Sequence, residues 1–292
     1  GIAGEPINLA LSDPSPDQSD LITVTVSGLL PGWTLNGGAL LSDGVSTIQT
    51  TDIQSLTVTP PADFAGALAL NVTETWTNAD GTPGIKIITD NLEAYAPRSP
   101  VFAWSGDDTL TGSSGQDLFV FSQPIGDDAI YGFNASDDQI DLIGYAGFTS
   151  FDDVKNHLTT DVNGNAEITL ADGQSITLFG QAAASLSAWN FVFDQTPVMN
   201  NAGTMTIGDG AILPLSGIIN NTGTIALESA GSTTTLQLTQ HGIMLQGGGQ
   251  VTLSDSDENF ISSAIPGVTL TNVDNTISGA GHLGGGVMAL VN

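Results

Sequence analysis

Three short phrases return at fixed intervals, and fixed intervals confine a chain to architectures made by stacking like units. Trp104–Phe121 reads WSGDDTLTGSSGQDLFVF and holds one nine-residue phrase twice: Gly106 returns as Gly115, Asp108 as Asp117 and Leu110 as Phe119. Gly126-Asp127-Asp128-Ala129-Ile130 repeats Gly106-Asp107-Asp108-Thr109-Leu110 almost residue for residue. Asn200-Asn201-Ala202-Gly203-Thr204-Met205-Thr206-Ile207 returns twenty residues later as Asn220-Asn221-Thr222-Gly223-Thr224-Ile225-Ala226-Leu227. In the first phrase, glycine lets a turn take positive φ. The aspartate offers the hard oxygen ligand that Ca2+ prefers. The large apolar residue fills the inside of a very short strand. Taken alone, the first pair also fits an ordinary Gly/Asp hairpin.

Charge narrows the choice. The chain of 292 residues carries 31 Asp plus Glu against 3 Lys plus Arg, a net charge of −28. Its only bases are Lys86, Arg98 and Lys155. Such a surface repels nucleic acid and anionic lipid, so neither is an expected partner. It also repels itself, and divalent cations would relieve that wherever carboxylates gather. Plain solubility in a salty exterior is the other reading of the same charge. Cysteine is absent, which excludes a disulfide framework, thiolate metal sites and cysteine nucleophiles. No apolar run reaches the roughly eighteen residues that a membrane span needs. No signal peptide is visible, and Gly1 is not an initiator residue, so the chain reads as a processed or excised piece.

Residues 1–97 predict an antiparallel β-sandwich. Leu21–Val26, Ser55–Thr59 and Ala67–Thr75 alternate with a period of two, and Ile85–Ile88 would pair with the last of these through the turn at Asp80-Gly81. Pro14, Pro16, Pro31-Gly32, Asn36-Gly37-Gly38, Asp43-Gly44 and Pro60-Pro61 punctuate the strands. About seven short strands at this spacing suggest an immunoglobulin-like or cadherin-like fold. The run VSGLLPGWTLNGG…LTVTPPADFAGALALNVTET resembles the tandem sandwich repeats of giant bacterial surface adhesins. Trp33 reads as a core residue and Asp63 as a loop former. Asp13, Asp17 and Asp20 read as an acidic loop, with Ca2+ binding as the alternative. Tyr95–Pro100 carries two prolines and reads as a stiff linker.

Residues 98–196 carry the repeated Gly/Asp phrases, then Asp137-Asp138-Gln139-Ile140-Asp141-Leu142. A short helix follows, capped by Ser150, with Phe151, Val154 and Leu158 on one face. A hairpin of Ala166–Leu170 and Ser175–Phe179 turns at Asp172-Gly173. Leu186, Trp189, Phe191 and Phe193 would close the core. The order GDDTLTG…GQDLFVF…GDDAIYGFN…DDQIDL…AEITLADGQSITL…WNFVF resembles the terminal domain of RTX proteins, a parallel β-roll that also follows the catalytic domain of serralysin-like proteases. The resemblance implies a roll that binds Ca2+ and folds in a calcium-rich exterior. It implies carboxylate ligands at Asp108, Asp117 and Asp128, carbonyl ligands at Gly106 and Gly115, and further candidates at Asp127, Asp138 and Asp141. Two departures are plain. Gly132 precedes Phe133 where the family often has an acidic residue, and the chain continues beyond a domain that usually ends the protein, so a structural calcium unit is expected rather than a secretion signal.

Residues 197–292 predict a parallel β-helix of about twenty residues per rung, with Asn and Gly at its corners. Asn272, Asn275, Gly247–Gly249 and Gly284–Gly286 are such corners. The pattern resembles the β-helical repeats of autotransporters and large adhesins, with a further rung expected beyond Asn292. Polysaccharide lyases and epimerases also use this fold, but they need a base and a cation against the substrate carboxylate. This stretch has no Lys or Arg, His241 and His282 lie in glycine-rich turns, and no HExxH motif occurs. The expected whole is a mainly β, non-catalytic, calcium-stabilised segment of a secreted adhesin or biofilm-matrix protein. Its expected partners are Ca2+, surface polysaccharide and neighbouring copies of itself. The alternatives are a calcium-binding, carbohydrate-contacting accessory region of a polysaccharide-active enzyme, and a subunit of a surface layer or filament.

Overall fold

Alternation with a period of two governs the first third of the chain. β2 (Ile22–Ser27) buries Ile22, Val24 and Val26 and leaves Thr23, Thr25 and Ser27 half-buried, as a strand with one wet face must. The computed structural model describes residues 1–14, 21–42, 44–170 and 173–292. Pro16, Asp17, Asp20, Asp43 and Asp172 lie outside the described residues. β2 pairs with β5 (Val45–Thr50) and β7 (Gly66–Thr77), with β4 (Ala39–Ser42) beyond β5 and β8 (Pro83–Ala94) beyond β7. The β7–β8 hairpin runs in register from Gly66↔Ala94 to Thr77↔Pro83, closed by the expected Asp80-Gly81 turn. A second sheet orders β1 (Ile7–Asn8), β6 (Thr57–Thr59) and β3 (Thr34–Leu35). Val26, Leu35, Val58, Leu70 and Val72 form the core the two sheets share. Trp33 belongs to it, 5 % exposed, with Phe64 edge-on at 4.9 Å.

The next unit is a two-sheet parallel roll. One sheet orders β9 (Val101–Phe102), β11 (Leu118–Ser122), β13 (Gln139–Ile143) and β17 (Phe191–Phe193), all parallel. The other stacks β10 (Thr109–Thr111), β12 (Asp127–Tyr131) and β16 (Ser175–Leu178) in parallel. It continues antiparallel into β15 (Ala166–Thr169) and β14 (Leu158–Thr160). Leu110, Phe119, Phe121, Ile130, Ile140 and Leu142 fill the interior. The two nine-residue phrases are therefore half-rungs on opposite sheets, and the GDDTL/GDDAI echo pairs Thr109↔Ala129 and Leu110↔Ile130 on adjacent rungs.

Two local expectations change. The helix α1 (Phe151–Asn156) is capped by Ser150, which accepts from the Asp153 N–H. It ends before Leu158, which starts β14 and faces Ile168 across the hairpin. Trp189 does not close the core: it is 53 % exposed. The capping box of Ser187 and Asn190 turns Asn190 inward instead, and Leu186 and Phe191 do the burying.

Residues 198–291 wind into a three-faced parallel β-helix. One face stacks β18 (Val198–Asn201), the second half of β20 (Ile212–Asn221), the second half of β22 (Thr234–Gln246), β25 (Thr269–Asn272) and β28 (Ala289–Val291). The next stacks β19 (Thr204–Gly208), β21 (Thr224–Glu228), β23 (Gln250–Leu253) and β26 (Thr276–Ser278). The third stacks the first halves of β20 and β22 with β24 (Asn259–Ser263) and β27 (His282–Leu283). The repeat seen in the sequence is the first rung step, Val198↔Ile218 and Thr204↔Thr224. β22 bends between faces at Gly242, whose φ of 64° and close approach to the Thr269 carbonyl leave no room for a Cβ. Inside the corners runs an amide ladder. Asn201 Nδ2 donates to Asn221 Oδ1 at 2.8 Å, and Asn221 Nδ2 donates to Asn275 Oδ1 at 2.9 Å.

Chain order is not spatial order. β7 pairs in parallel with β19, Gly66↔Thr206 and Ala67↔Ile207, so one sheet runs from the N-terminal unit into the β-helix. The Asn91 side chain of β8 completes a second face, accepting from Ile212 N at 2.8 Å and donating to Ile212 O at 3.0 Å. β1 sits beside the first rung of the roll, Asn8 N donating to Thr111 Oγ1 at 3.0 Å. The N-terminal unit thus covers the first rung of both solenoids, where open strand edges need covering. The roll meets the β-helix side by side, Ser105 N donating to Gln237 Oε1 at 3.0 Å.

Candidate metal centre

Each repeated aspartate ends a turn and opens a strand. Asp108, Asp117 and Asp138 each accept, through Oδ2, the backbone N–H of the residue four places earlier: Trp104 at 3.2 Å, Ser113 at 2.5 Å and Asn134 at 2.8 Å. The carboxylate clasps its own turn, as short polar side chains do wherever backbone donors lack strand partners. A second set of bonds links rungs. Asp108 N donates to Asp128 Oδ1 at 3.0 Å, and Asp117 N donates to Asp138 Oδ1 at 3.0 Å. The aspartates thus form two stacks, Asp108 with Asp128 on one sheet and Asp117 with Asp138 on the other.

The stacks differ at one atom. The residue four before Asp128 is Pro124, which has no N–H to give. Asp128 is 2 % exposed and its Oδ2 is buried without a partner. Burial pushes its carboxyl up to about 9, and the nearby Asp108 charge adds to the shift. Burial also raises Asp108, against the backbone donors that pull it down. In the second stack, burial raises Asp138 to about 6, opposed by N–H groups of Asn134 and Asp117. Asp117 is raised more gently, held by the Ser113 N–H and hydroxyl.

The other expected ligands fall elsewhere. Asp141 lies in β13 between Val120 and Val192 of neighbouring strands. It is fully buried, with Oδ1 3.4 Å from Gln195 N and Oδ2 without a partner, and burial pushes it up to about 6. Asp127 is exposed on an outer ladder: its N–H donates to Asp107 Oδ1 at 3.0 Å, and its Oδ1 accepts from Ser175 Oγ at 2.8 Å. The Gly106 carbonyl accepts from Gly126 N at 3.1 Å, joining the turns that precede β10 and β12. Gly115 lies in an exposed turn and donates to Ser113 Oγ at 3.0 Å. Asp107 and Pro124 carry structural roles that the repeat phrase does not single out.

Among the described residues, no group of three or more His, Asp or Glu side chains is placed to hold a metal ion. A hard cation takes six to eight oxygens, so at the Asp108/Asp128 stack two carboxylates would need carbonyl or water oxygens beside them. In that stack three of the four oxygens accept backbone N–H bonds, and the buried Asp128 Oδ2 is the one left open to a cation. The Asp117/Asp138 stack is already closed by backbone donors. Of the two histidines of the β-helix, His241 takes a φ of 71° at the β22 bend, and His282 stacks on Phe260 at 4.7 Å.

No protein-family model matches the chain, and no curated protein or solved structure matches it. What stands is the fold, a β-solenoid over residues of about 109–291.

Proposed function

We propose that the chain is a non-catalytic, calcium-stabilised segment of a secreted RTX-type bacterial adhesin or extracellular-matrix protein. One observation carries this reading: a buried aspartate, Asp128, keeps an unpartnered oxygen in a chain whose only bases are Lys86, Arg98 and Lys155. Burying an uncompensated carboxylate is expensive, and such groups neutralise by protonation or by pairing. With no basic side chain at hand, a proton or a divalent cation is left to neutralise it, and in a calcium-rich exterior Ca2+ would compete with the proton for this oxygen.

Asp108 and Asp128 would hold the ion from adjacent rungs. A bound Ca2+ supplies positive charge there and offsets the repulsion between the two carboxylates. The stack already orders both side chains through the Asp108 N–H bond to Asp128 Oδ1, so little side-chain freedom remains to be lost on binding. Because the ligands converge only when the rungs are stacked, binding and folding are linked.

Calorimetric titration and thermal melting with Ca2+ and with chelator test this reading. Ca2+ is expected to bind and to raise the melting temperature saturably, and Asp128→Asn to remove most of that rise. Absence of binding, together with melting indifferent to Ca2+ and chelator, would sink it.

A further inference from the structure

A groove of about 860 Å3 opens where the N-terminal segment, the roll and the first β-helix strand meet. Its walls include Trp189, Arg98, Gln116, Gln139, Gln195 and Glu5. Trp189 is 53 % exposed there, and the backbone turn that carries it is held in place. Its short turn, Ala188–Asn190, is pinned by the buried Asn190, whose Nδ2 donates to Ala135 O at 2.9 Å and Asp138 O at 3.0 Å. Gln139 Nε2 donates to the Trp189 carbonyl at 2.7 Å. An exposed indole on a fixed turn needs no backbone ordering on binding, which is how an anchor is built.

Arg98 is the second unusual feature. It is the only arginine of the chain and makes no ion pair among the described residues. Its φ of 70° is left-handed, a conformation that glycine takes freely and a long side chain resists. The turn is fixed by Ser99 N donating to Ala96 O at 3.0 Å. Strain of this kind collects at binding sites.

We infer that this groove binds a neutral saccharide chain, with Trp189 as the platform for a pyranose ring and Arg98 as a donor to ring hydroxyls. An indole face is electron-rich and receives the polarised C–H face of a sugar. The side-chain amides of Gln116 and Gln195 have no hydrogen-bond partner among the described residues and match hydroxyls, which both donate and accept. Glu5, which already accepts from Ser114 Oγ at 2.9 Å, adds an acceptor. Charge selects the neutral class: a net charge of −28 repels a polyuronate before it reaches the groove. The inference is independent of the metal reading, since neither Asp108 nor Asp128 lines the groove.

The test is calorimetric and fluorescence titration of the full chain with cello-, manno- and xylo-oligosaccharides, an oligouronate and a proline-rich peptide. At least one neutral oligosaccharide is expected to bind and to perturb tryptophan emission. Trp189→Ala is expected to weaken that binding about tenfold or more. Arg98→Gly is expected to weaken binding while leaving the melting temperature unchanged or higher, because glycine relieves the backbone; a purely structural arginine would lower it. Calcium-dependent melting is expected to be unaltered in both variants, which separates failure here from failure of the metal reading. Binding of none of the neutral sugars at about 1 mM, preference for the oligouronate or the peptide, or sugar binding indifferent to both substitutions would each overturn the inference.

Discussion

At the scale of the residue, one missing donor distinguishes Asp128 from its three counterparts. Trp104, Ser113 and Asn134 each give an N–H to the aspartate four places on; Pro124 has none. A carboxylate whose folded pKa lies above its unfolded value favours the folded state below the unfolded pKa and loses that contribution as pH rises through the folded value. For Asp128 the window runs from about 4 up to about 9. With chelator present, the melting temperature is therefore expected to fall as pH rises from 5 to about 9. Asp128→Asn is expected to flatten that slope and to stabilise the metal-free protein by about 1–4 kcal/mol at pH 8, measured by denaturant titration. A steeper slope in the variant would contradict the assignment. The repeat phrase made the aspartates legible as a set, because nine-residue spacing singles out Asp108 and Asp117. It could not tell which oxygen lacks a partner, since that depends on a proline outside the phrase. Nor did it expose Trp189: a tryptophan beside Phe191 reads as core, and only the inward turn of Asn190 puts it outside.

At the scale of the element, offsets in the sequence became registers in space. The twenty-residue return of Asn200–Ile207 is the pairing of β18 with β20 and of β19 with β21, and Asn201 and Asn221 meet side by side because identical residues stack in register. Later rungs were less legible. Thr224 pairs with Gln250 and Gln250 with Thr276, a longer step that glycine-rich corners absorb without leaving a repeated phrase. The β7–β19 seam left no mark in the sequence, because it joins residues 66–67 to 206–207 and a two-residue pairing has no periodicity. Gly66 reveals it in the structure: its φ is 134° and a Cβ there would run into the Thr206 carbonyl. Gly66→Ala is expected to cost about 2–3 kcal/mol, read by denaturant unfolding, with faster hydrogen exchange in β19. A neutral substitution would mean that the seam contributes little.

At the scale of the whole molecule, the sandwich and the β-helix were readable from spacing and turn residues and the roll from its resemblance to RTX terminal domains, but their arrangement was not. The linker Tyr95–Pro100 suggests modules in a row; instead the Tyr95 hydroxyl is buried against the Pro214 and Phe102 carbonyls, and the N-terminal unit reaches both solenoids. Packing three acidic units together concentrates charge, with 31 acidic side chains against 3 basic ones. Screening shortens such repulsion to about 10 Å at 0.1 M salt. Without divalent ions, the melting temperature is expected to climb gradually with NaCl, whereas Ca2+ is expected to act at far lower concentration and to saturate. Equal effects of the two salts at equal ionic strength would leave screening as the whole explanation. The seam also decides how the molecule would answer a pull. Tension applied to the far end of the β-helix travels rung by rung to the first rung and crosses to the N-terminal unit through the two β7–β19 residue pairs, the Asn91–Ile212 bonds and the Tyr95–Pro214 bond. The roll is the covalent link between sandwich and β-helix, so once that seam parts, the pull passes along the chain into the roll and its aspartate stacks.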